Sequence, residues 1–373
     1  MKFLKFEELD NKDIFYMKKA IDIAKNGEGF VSPNPLVGCV IVKDDNIIGL
    51  GYHEEYGKSH AEVNAINNAI ENLEGATLYV NLEPCSHYGK TPPCINKIVE
   101  SKIKRVVISN IDPNPLVSGN GVKKLREHGI EVKVGVLENE GRKLNEIFFH
   151  YIKNKRPLCI VKSAVSLDGK IATKHKESKW ISNEKSRYIT HKYRHKFKGI
   201  MVGINTVLQD NPRLTCRLYE ENVSNPIRII IDSNLKIPFN NNLVKDKSAK
   251  TMIFTCSQDN KKINFLEKEN IKIIKCPSIE NHVDLNFVMS KLGELNIDSV
   301  LVEGGATLND SLFRYNLVDK IKLFIAPKII GGSKSPTFVS GEGIDKLCDA
   351  RKLNIENVSL IDGDILVEAE VIK

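Results

Sequence analysis

Apolar residues recur at helical spacing between Asp13 and Asn26 (Ile14, Met17, Ile21, Ala24), with Gly27 just beyond, and predict an amphipathic helix. Leu36–Val42 and Ile47–Tyr52 are short apolar runs parted by Lys43-Asp44-Asp45-Asn46, the pattern of a β-hairpin. The spacing then predicts a helix over Ala61–Asn72, a buried strand over Thr77–Leu82, and a helix over Pro93–Ser101 that starts on proline. A strand over Arg105–Ser109, a helix over Gly121–His128 stopped by Gly129, and a strand over Ile130–Val136 follow. Strands alternating with helices imply an α/β layered domain that ends near Phe149. The polar, basic stretch His150–Pro157 reads as a linker. Alternation then resumes: strand Leu158–Ala164, helix Glu184–His195, and strands Gly199–Gly203, Ile227–Asp232 and Thr251–Thr255. Helix His282–Leu295, strand Ser299–Val302, helix Ala306–Tyr315 and strand Asp319–Ala326 complete a second α/β domain. The expected domains are residues 1–150 and 151–373.

Length agrees with two domains, because single cores stop growing at roughly 250–300 residues and this chain has 373. The N-terminal segment mixes charges with apolar residues and lacks the apolar region of a secretory signal. No run approaches the ~18 apolar residues of a membrane span, so a cytoplasmic protein that binds no membrane is expected. The net charge of +8 would suit nucleic acid or a phosphorylated small molecule, but it is spread along the chain without a basic, aromatic-rich run and reads first as a solvated lysine-rich surface; nucleic acid is not an expected partner.

Eight cysteines in such a chain do not read as a disulfide framework. Most, such as Cys39 and Cys159, sit in apolar runs, but Cys85 and Cys94 lie in loop-like sequence beside prolines. His60, Cys85 and Cys94 make a three-ligand zinc set with one open position, as a catalytic site needs. Glu62, two residues past His60, is placed to move protons between water and substrate. Histidine-x-glutamate followed by proline-cysteine is the signature of zinc deaminases, in which the glutamate serves the metal-bound water and is not itself a ligand. A structural zinc site would need a fourth ligand, for which His87 and His53 are the candidates.

In the second half, Gly304-Gly305 falls after a predicted strand and before a helix, suited to binding phosphate through backbone N–H groups. No GxGxxG run is present, so a Rossmann domain is not indicated.

The segments SPNPLVGCVIV (32–42), GYHEEYGKSHAEVNAI (51–66), GATLYVNLEPCSHYGKTPPC (75–94), DPNP (112–115) and SGNGVKKLREHGI (118–130) resemble the bifunctional riboflavin biosynthesis deaminase–reductases. Nucleoside and tRNA deaminases carry Cys-x-x-Cys; here eight residues separate Cys85 from Cys94, as in the riboflavin family. In the second half KSAVSLDGKIAT (162–173), SKWIS (178–182), VGINTVLQDNPRLTCR (202–217) and VEGGATLNDSLF (302–313) are similar to the reductase half of that family.

The resemblance implies a cytidine-deaminase-like three-layer α/β/α domain followed by a dihydrofolate-reductase-like α/β domain. It implies zinc and NADPH as cofactors, a homo-oligomer, and a diaminopyrimidinone carrying ribosylamino 5-phosphate as substrate. Asn34, His53 and Lys90 would contact substrate in the deaminase. Ala164, Trp180, Thr206, Asp210, Ser233 and the run Gly305, Ala306, Thr307, Leu308, Asn309, Asp310, Ser311 would line the NADPH site. Ser178, Arg194, Leu214, Arg217 and Glu303 would contact substrate in the reductase, with Arg194 and Arg217 as phosphate clamps. The chain departs from the family pattern at Lys176 and Asn205, where glycine is common; asparagine tolerates positive φ better than most residues. Two rival readings are a nucleoside or nucleic-acid base deaminase with an unrelated binding domain, and a zinc-stabilised binding protein without catalysis.

Overall fold

The computed structural model describes residues 11–86, 92–115, 117–219 and 222–373. The chain divides into two compact units, 1–154 and 155–373.

The first unit runs α1 (Asn11–Ala24), β1 (Gly38–Lys43), β2 (Asn46–Tyr52), α2 (Ala61–Asn67), β3 (Thr77–Leu82), α3 (Cys94–Glu100), β4 (Arg105–Asn110), α4 (Asn120–Glu127), β5 (Glu131–Val134), α5 (Glu138–Leu144) and α6 (Glu146–Asn154). Its sheet has the order β2-β1-β3-β4-β5, antiparallel through β3 and parallel from β3 to β5. The β1–β2 hairpin turns on Asp44 and Asp45, both at positive φ (47° and 63°), the conformation that a two-residue hairpin loop of matching twist needs. Alternation along β1 splits the core: Cys39 and Ile41 pack with α2, α3 and α4, while Val40 and Val42 pack with Tyr16, Met17 and Ala20 of α1. This is a three-layer α/β/α sandwich.

Helix α2 lies flush on β2 because two strand positions lack side chains. A Cβ on Gly51 would sit 2.3 Å from Ala65 N, and one on Gly49 2.6 Å from Ala65 O. The helix is shorter than its apolar spacing predicts. Ile70 N donates to Ile48 O of β2 (2.9 Å) rather than continuing the helix, and Asn68 Nδ2 bonds Leu50 O. The stretch expected to be a linker is helical as far as Asn154, as the end of α6.

The second unit contains β6 (Leu158–Ser166), α7 (Glu184–Lys196), β7 (Gly199–Gly203), α8 (Ile204–Asp210), β8 (Ile227–Ile231), α9 (Asn242–Lys245), β9 (Thr251–Thr255), α10 (Asn260–Lys268) and β10 (Ile271–Lys275). It continues through a small hairpin, β11 (Ser278–Ile279) and β12 (His282–Val283), then α11 (Leu285–Glu294), β13 (Ser299–Val302), α12 (Ala306–Arg314), β14 (Lys320–Ala326), β15 (Leu353–Ile361) and β16 (Asp364–Val371). The nine-stranded sheet has the order β10-β9-β8-β7-β13-β6-β14-β16-β15, and only the last two pairings are antiparallel. One face packs α11 and α12 against Cys159, Val161, Met201 and Val302; the other packs α8, α9 and α10 against Ile200, Val202 and Ile230. Among the described residues, no helix is long and apolar enough to cross a membrane.

Candidate active sites

In the first unit, His60 occupies the N-cap position of α2, in extended conformation, and Glu62 lies in that helix's first turn. Cys85 follows the end of β3 and Cys94 opens α3. The three donors converge: His60 Nδ1 is 3.2 Å from Cys94 Sγ and 3.5 Å from Cys85 Sγ, and the two sulfurs are 3.4 Å apart. Tetrahedral zinc with ordinary bond lengths spaces such donors about 3.6–3.8 Å apart, so the set fits a zinc ion after a few tenths of an ångström of expansion. Cys94 N also donates to Cys85 Sγ (3.2 Å). Cys85 is held as a thiolate, well below the ordinary thiol range: the hydrogen bond from Cys94 leads, burial opposes it, and His60 adds to it. The proton retained between the two sulfurs stays on Cys94, raised by that same bond and by burial. Coordination replaces this shared proton with a dication.

Glu62 is buried, 3% exposed. Burial pushes its carboxyl up to about 7, with the Cys85 thiolate contributing and His60 opposing. A glutamate buried beside the donor set is placed to move protons between water and substrate. Asn34 Nδ2 lies 3.0 Å from His53 Nε2, while His53 Nδ1 lies 3.0 Å from Ser59 O. The carbonyl requires a proton on Nδ1, leaving Nε2 to accept from the Asn34 amide. Burial lowers the His53 pKa, which keeps the ring neutral. His53 stands edge-on to His60, ring centres 5.4 Å apart. Both of its nitrogens are engaged, so it is not a fourth zinc ligand. His87 and Lys90 lie outside the described residues.

Two features of this site were missed in the sequence. Glu83 is buried and its carboxylate accepts four backbone N–H bonds. Lys124 Nζ donates to Ser86 O (2.7 Å). A glutamate directly before proline-cysteine was the available signal for the first; the second depends on how α4 packs.

In the second unit, β7, β13 and β6 lie side by side and parallel. Their carboxyl ends open onto α8 and α12, whose N-cap residues Gly203 and Gly305 offer no side-chain cap. A Cβ built on Gly305 would lie 3.5 Å from Thr206 Oγ1, so these two helix starts adjoin. Free N–H groups at paired helix N-termini suit a pyrophosphate, and the crevice beyond the strand ends is where open α/β sheets bind ligands. Ala164 faces this end from β6, Ser233 closes β8 with its Oγ accepting from Val283 N (3.1 Å), and Asp210 ends α8. Trp180 is 63% exposed, with the Arg187 guanidinium 4.7 Å from its ring centre.

Within Gly305–Ser311, only part of the run is open to a ligand. Leu308 packs into the core, buried Asn309 donates to Phe338 O (2.7 Å), Asp310 pairs with Arg314, and Ser311 Oγ bonds Thr307 O.

Arg194 has a different immediate partner from the expected phosphate. It makes a two-pronged pair with Glu303 (2.7 and 2.7 Å) and donates to Thr215 O. The pairing follows from burial, since both side chains are close to nine-tenths covered and a lone buried guanidinium is costly. Leu214 sits at φ 54° with its side chain committed to the core, leaving only its backbone for a ligand. Arg217 remains exposed; burial and the nearby Arg194 and Arg213 lower its pKa. Ser178 is half-buried in the preceding loop.

Lys162 and His191 also belong to this cluster and were missed. Burial lowers the pKa of Lys162, with Glu303 opposing. Burial, then Arg194 and Arg217, bring His191 down to about 4. His191 Nδ1 accepts from Arg217 N (3.1 Å). Of the two departures from the family pattern, Lys176 is the one at positive φ (69°); Asn205 is an ordinary residue of α8.

Two family models match the chain: the cytidine and deoxycytidylate deaminase zinc-binding region over residues 10–110, and the RibD C-terminal domain over 157–367. Fold and site together define a zinc-dependent deaminase joined to a dihydrofolate-reductase-like reductase. The riboflavin biosynthesis protein RibD of Actinobacillus pleuropneumoniae is 46% identical over 361 residues, covering 96% of each chain. That of Bacillus amyloliquefaciens is 44% identical over 356 residues, covering 95% of each. Among solved structures, Acinetobacter baumannii RibD superposes with a TM-score of 0.88 at 32% identity, over 97% of this chain and 99% of that one. A Thermotoga maritima diaminohydroxyphosphoribosylaminopyrimidine deaminase/5-amino-6-(5-phosphoribosylamino)uracil reductase superposes with a TM-score of 0.86 at 41% identity, with the same coverage. The chain belongs to the RibD family of bifunctional deaminase–reductases of riboflavin biosynthesis.

Proposed function

We propose that the first unit deaminates the 2-amino group of a diaminopyrimidinone bearing ribosylamino 5-phosphate, and that the second reduces the ribosylamino group of the product to ribitylamino. The observation that carries the first step is the convergence of His60, Cys85 and Cys94 beside buried Glu62. His60, Cys85 and Cys94 would hold zinc, which when bound would acidify a water molecule to a pKa near 7. Glu62 would carry the two water protons in turn: the first to the ring nitrogen as the water oxygen bonds to C2, the second from the resulting hydroxyl to the amino group, which leaves as ammonia when the C–N bond breaks. The Asn34 amide, oriented by neutral His53, presents hydrogen bonds to the pyrimidine edge. Lys90 is assigned to the phosphate.

In the second unit, the uncapped start of α12 from Gly305 to Thr307 holds the pyrophosphate of NADPH, with Ala164, Trp180, Thr206, Asp210 and Ser233 around the rest of the cofactor. NADPH, when bound, would supply the hydride to C1′ of the ring-opened imine, whose nitrogen takes up a proton. Arg217 and Arg213 bind the phosphate, while Ser178, the Leu214 backbone and the Arg194–Glu303 pair shape the pocket. Lys162, Arg194 and Arg217 gather around a single buried carboxylate, Glu303, beside a neutral His191, and an anionic substrate relieves that excess of positive charge.

Self-association of the reductase unit is supported by β15, the outermost strand of the sheet, on which Ile355, Val358 and Leu360 are 62%, 58% and 76% exposed. A cytoplasmic setting fits eight free cysteines.

The test is a coupled assay on the phosphorylated diaminopyrimidinone, following ammonia release and NADPH oxidation together. Both proceed in order, and zinc chelation stops the first while leaving reduction of supplied deaminated product intact. Deamination of cytidine or of an RNA stem-loop at a comparable rate would overturn the substrate assignment. Trp180 is the chain's single tryptophan, and its fluorescence is expected to be quenched saturably by NADPH; a folded protein showing no quenching would overturn the cofactor site.

A further inference from the structure

Glu83 has no place in the chemistry above, yet its carboxylate is among the most heavily hydrogen-bonded groups of the first unit. It is 6% exposed and accepts from Asp112 N (3.1 Å), Gly119 N (3.0 Å), Gly121 N (2.8 Å) and Val122 N (3.1 Å). All four donors come from one stretch, the loop before α4 and that helix's first turn. The same helix reaches the chain again three residues later, where Lys124 Nζ donates to Ser86 O. Between these two anchors lie Pro84 and Cys85. Gly121 makes the approach possible, because a Cβ there would sit 2.5 Å from Pro84 O.

We propose that Glu83 is a positioning residue of the deaminase, clamping the 112–122 segment to the end of β3 so that the Cys85 thiolate is held at the metal while Lys124 closes the clamp on the far side. The physical logic is that Cys85 leaves a strand end and enters a loop, where the strand pairing has ended at Glu83 N to Asn110 O and the Cys85 backbone is tied by a single long bond, from Ile95 N to Cys85 O (3.4 Å). An acceptor-only carboxylate satisfies four donors at once. An amide of the same shape cannot, because its NH₂ points a donor at two of them and leaves them unpaired. Partners that orient a metal ligand from outside the coordination sphere typically change metal affinity about 10–100-fold when replaced.

This inference rests on the assignment of Cys85 as a zinc ligand. The experiment uses the full chain with zinc bound, and measures zinc transfer to a colorimetric chelator alongside the thiolate-to-metal charge-transfer band of the cobalt-substituted protein. Glu83→Gln is expected to speed zinc release about tenfold or more and to shift or weaken the cobalt band. Glu83→Asp, which keeps the charge on a shorter stem, should fall between it and the parent. Lys124→Met, at an exposed position, is expected to produce a smaller change in the same direction. If Glu83→Gln fails to fold, the Lys124→Met protein decides. Zinc release and a cobalt spectrum indistinguishable from the parent in the folded variants would overturn the proposal and leave the zinc assignment standing. A parent protein that binds zinc equally well after Cys85→Ser would overturn the ligand assignment and this inference with it.

Discussion

The two active sites of this chain are built on opposite electrostatic plans. Around His60 the ionisable groups are a buried carboxyl and two thiols, an arrangement that invites a dication. Around Glu303 they are Lys162, Arg194 and Arg217 beside a neutral His191, an arrangement that invites a phosphate. The first site is drawn from two short stretches of sequence, and every donor has a fixed chemical identity. The second gathers residues from β6, α7, α8 and the start of α12, and much of its binding capacity is backbone N–H. Coordination chemistry constrains residue type; recognition of an extended anionic cofactor constrains shape and helix placement instead.

That contrast can be broken at either end. The largest effect is expected from Glu62→Gln, which should lower deamination by about 10²–10⁴-fold while zinc stays stoichiometric and reduction is untouched. Metal analysis beside ammonia release checks it, and a fully active variant would return the site to a structural role. In the reductase, Glu303→Ala leaves Arg194 buried without its partner and adds to the repulsion among its neighbours. It should destabilise that unit by about 3 kcal/mol or more, seen as an earlier transition in denaturant with the deaminase transition unmoved.

A smaller effect distinguishes the units by pH. Burial raises the Asp13 carboxyl, but Arg105, Lys133 and Tyr79 outweigh it and bring it down to about 2. The folded value lies below the unfolded one, so the stabilisation is present in full above about pH 4 and is lost as pH falls toward 2. It amounts to about 2 kcal/mol. Asp13→Asn should flatten the acid limb of the deaminase transition and lower its stability at neutral pH; an unchanged acid limb would refute the assignment. The smallest effect is at Lys176, whose φ of 69° suits glycine. Lys176→Gly relieves about 1 kcal/mol of strain and costs part of it back in unfolded-state entropy, so a stabilisation of about 0.5 kcal/mol is expected in a thermal melt of the reductase.

Much of the architecture was legible because apolar alternation tracks burial. Strands Thr77–Leu82, Gly199–Gly203, Thr251–Thr255 and Ser299–Val302 coincide with β3, β7, β9 and β13. The C-terminal hairpin of β15 and β16 escaped notice although Asp362-Gly363 marks its turn, with both residues at positive φ. Its outer strand is exposed, so burial does not impose the alternation that identifies the others. Helix α5 was not anticipated, and the end of α6 fell within the expected linker, since α6 has no fully buried face to enforce a clear apolar stripe. Residue type and order singled out His60, Cys85 and Cys94, which the fold brings together, and Glu62 beside them. The partners that set their protonation states were not singled out.

By itself, then, the sequence determined which atoms are available for chemistry: one imidazole, two sulfurs and a glutamate in deaminase order, with a glycine pair before a helix in the second half. Residue type is a covalent property and survives without a fold. Only the tertiary structure decided that His53 is spoken for by Asn34 and Ser59, that Arg194 answers to Glu303, and that Glu83 holds α4 to the strand carrying Cys85. Those pairings join positions as far as 109 residues apart. They exist because burial removes water as the competing partner, and burial is a property of the packed chain rather than of any segment of it.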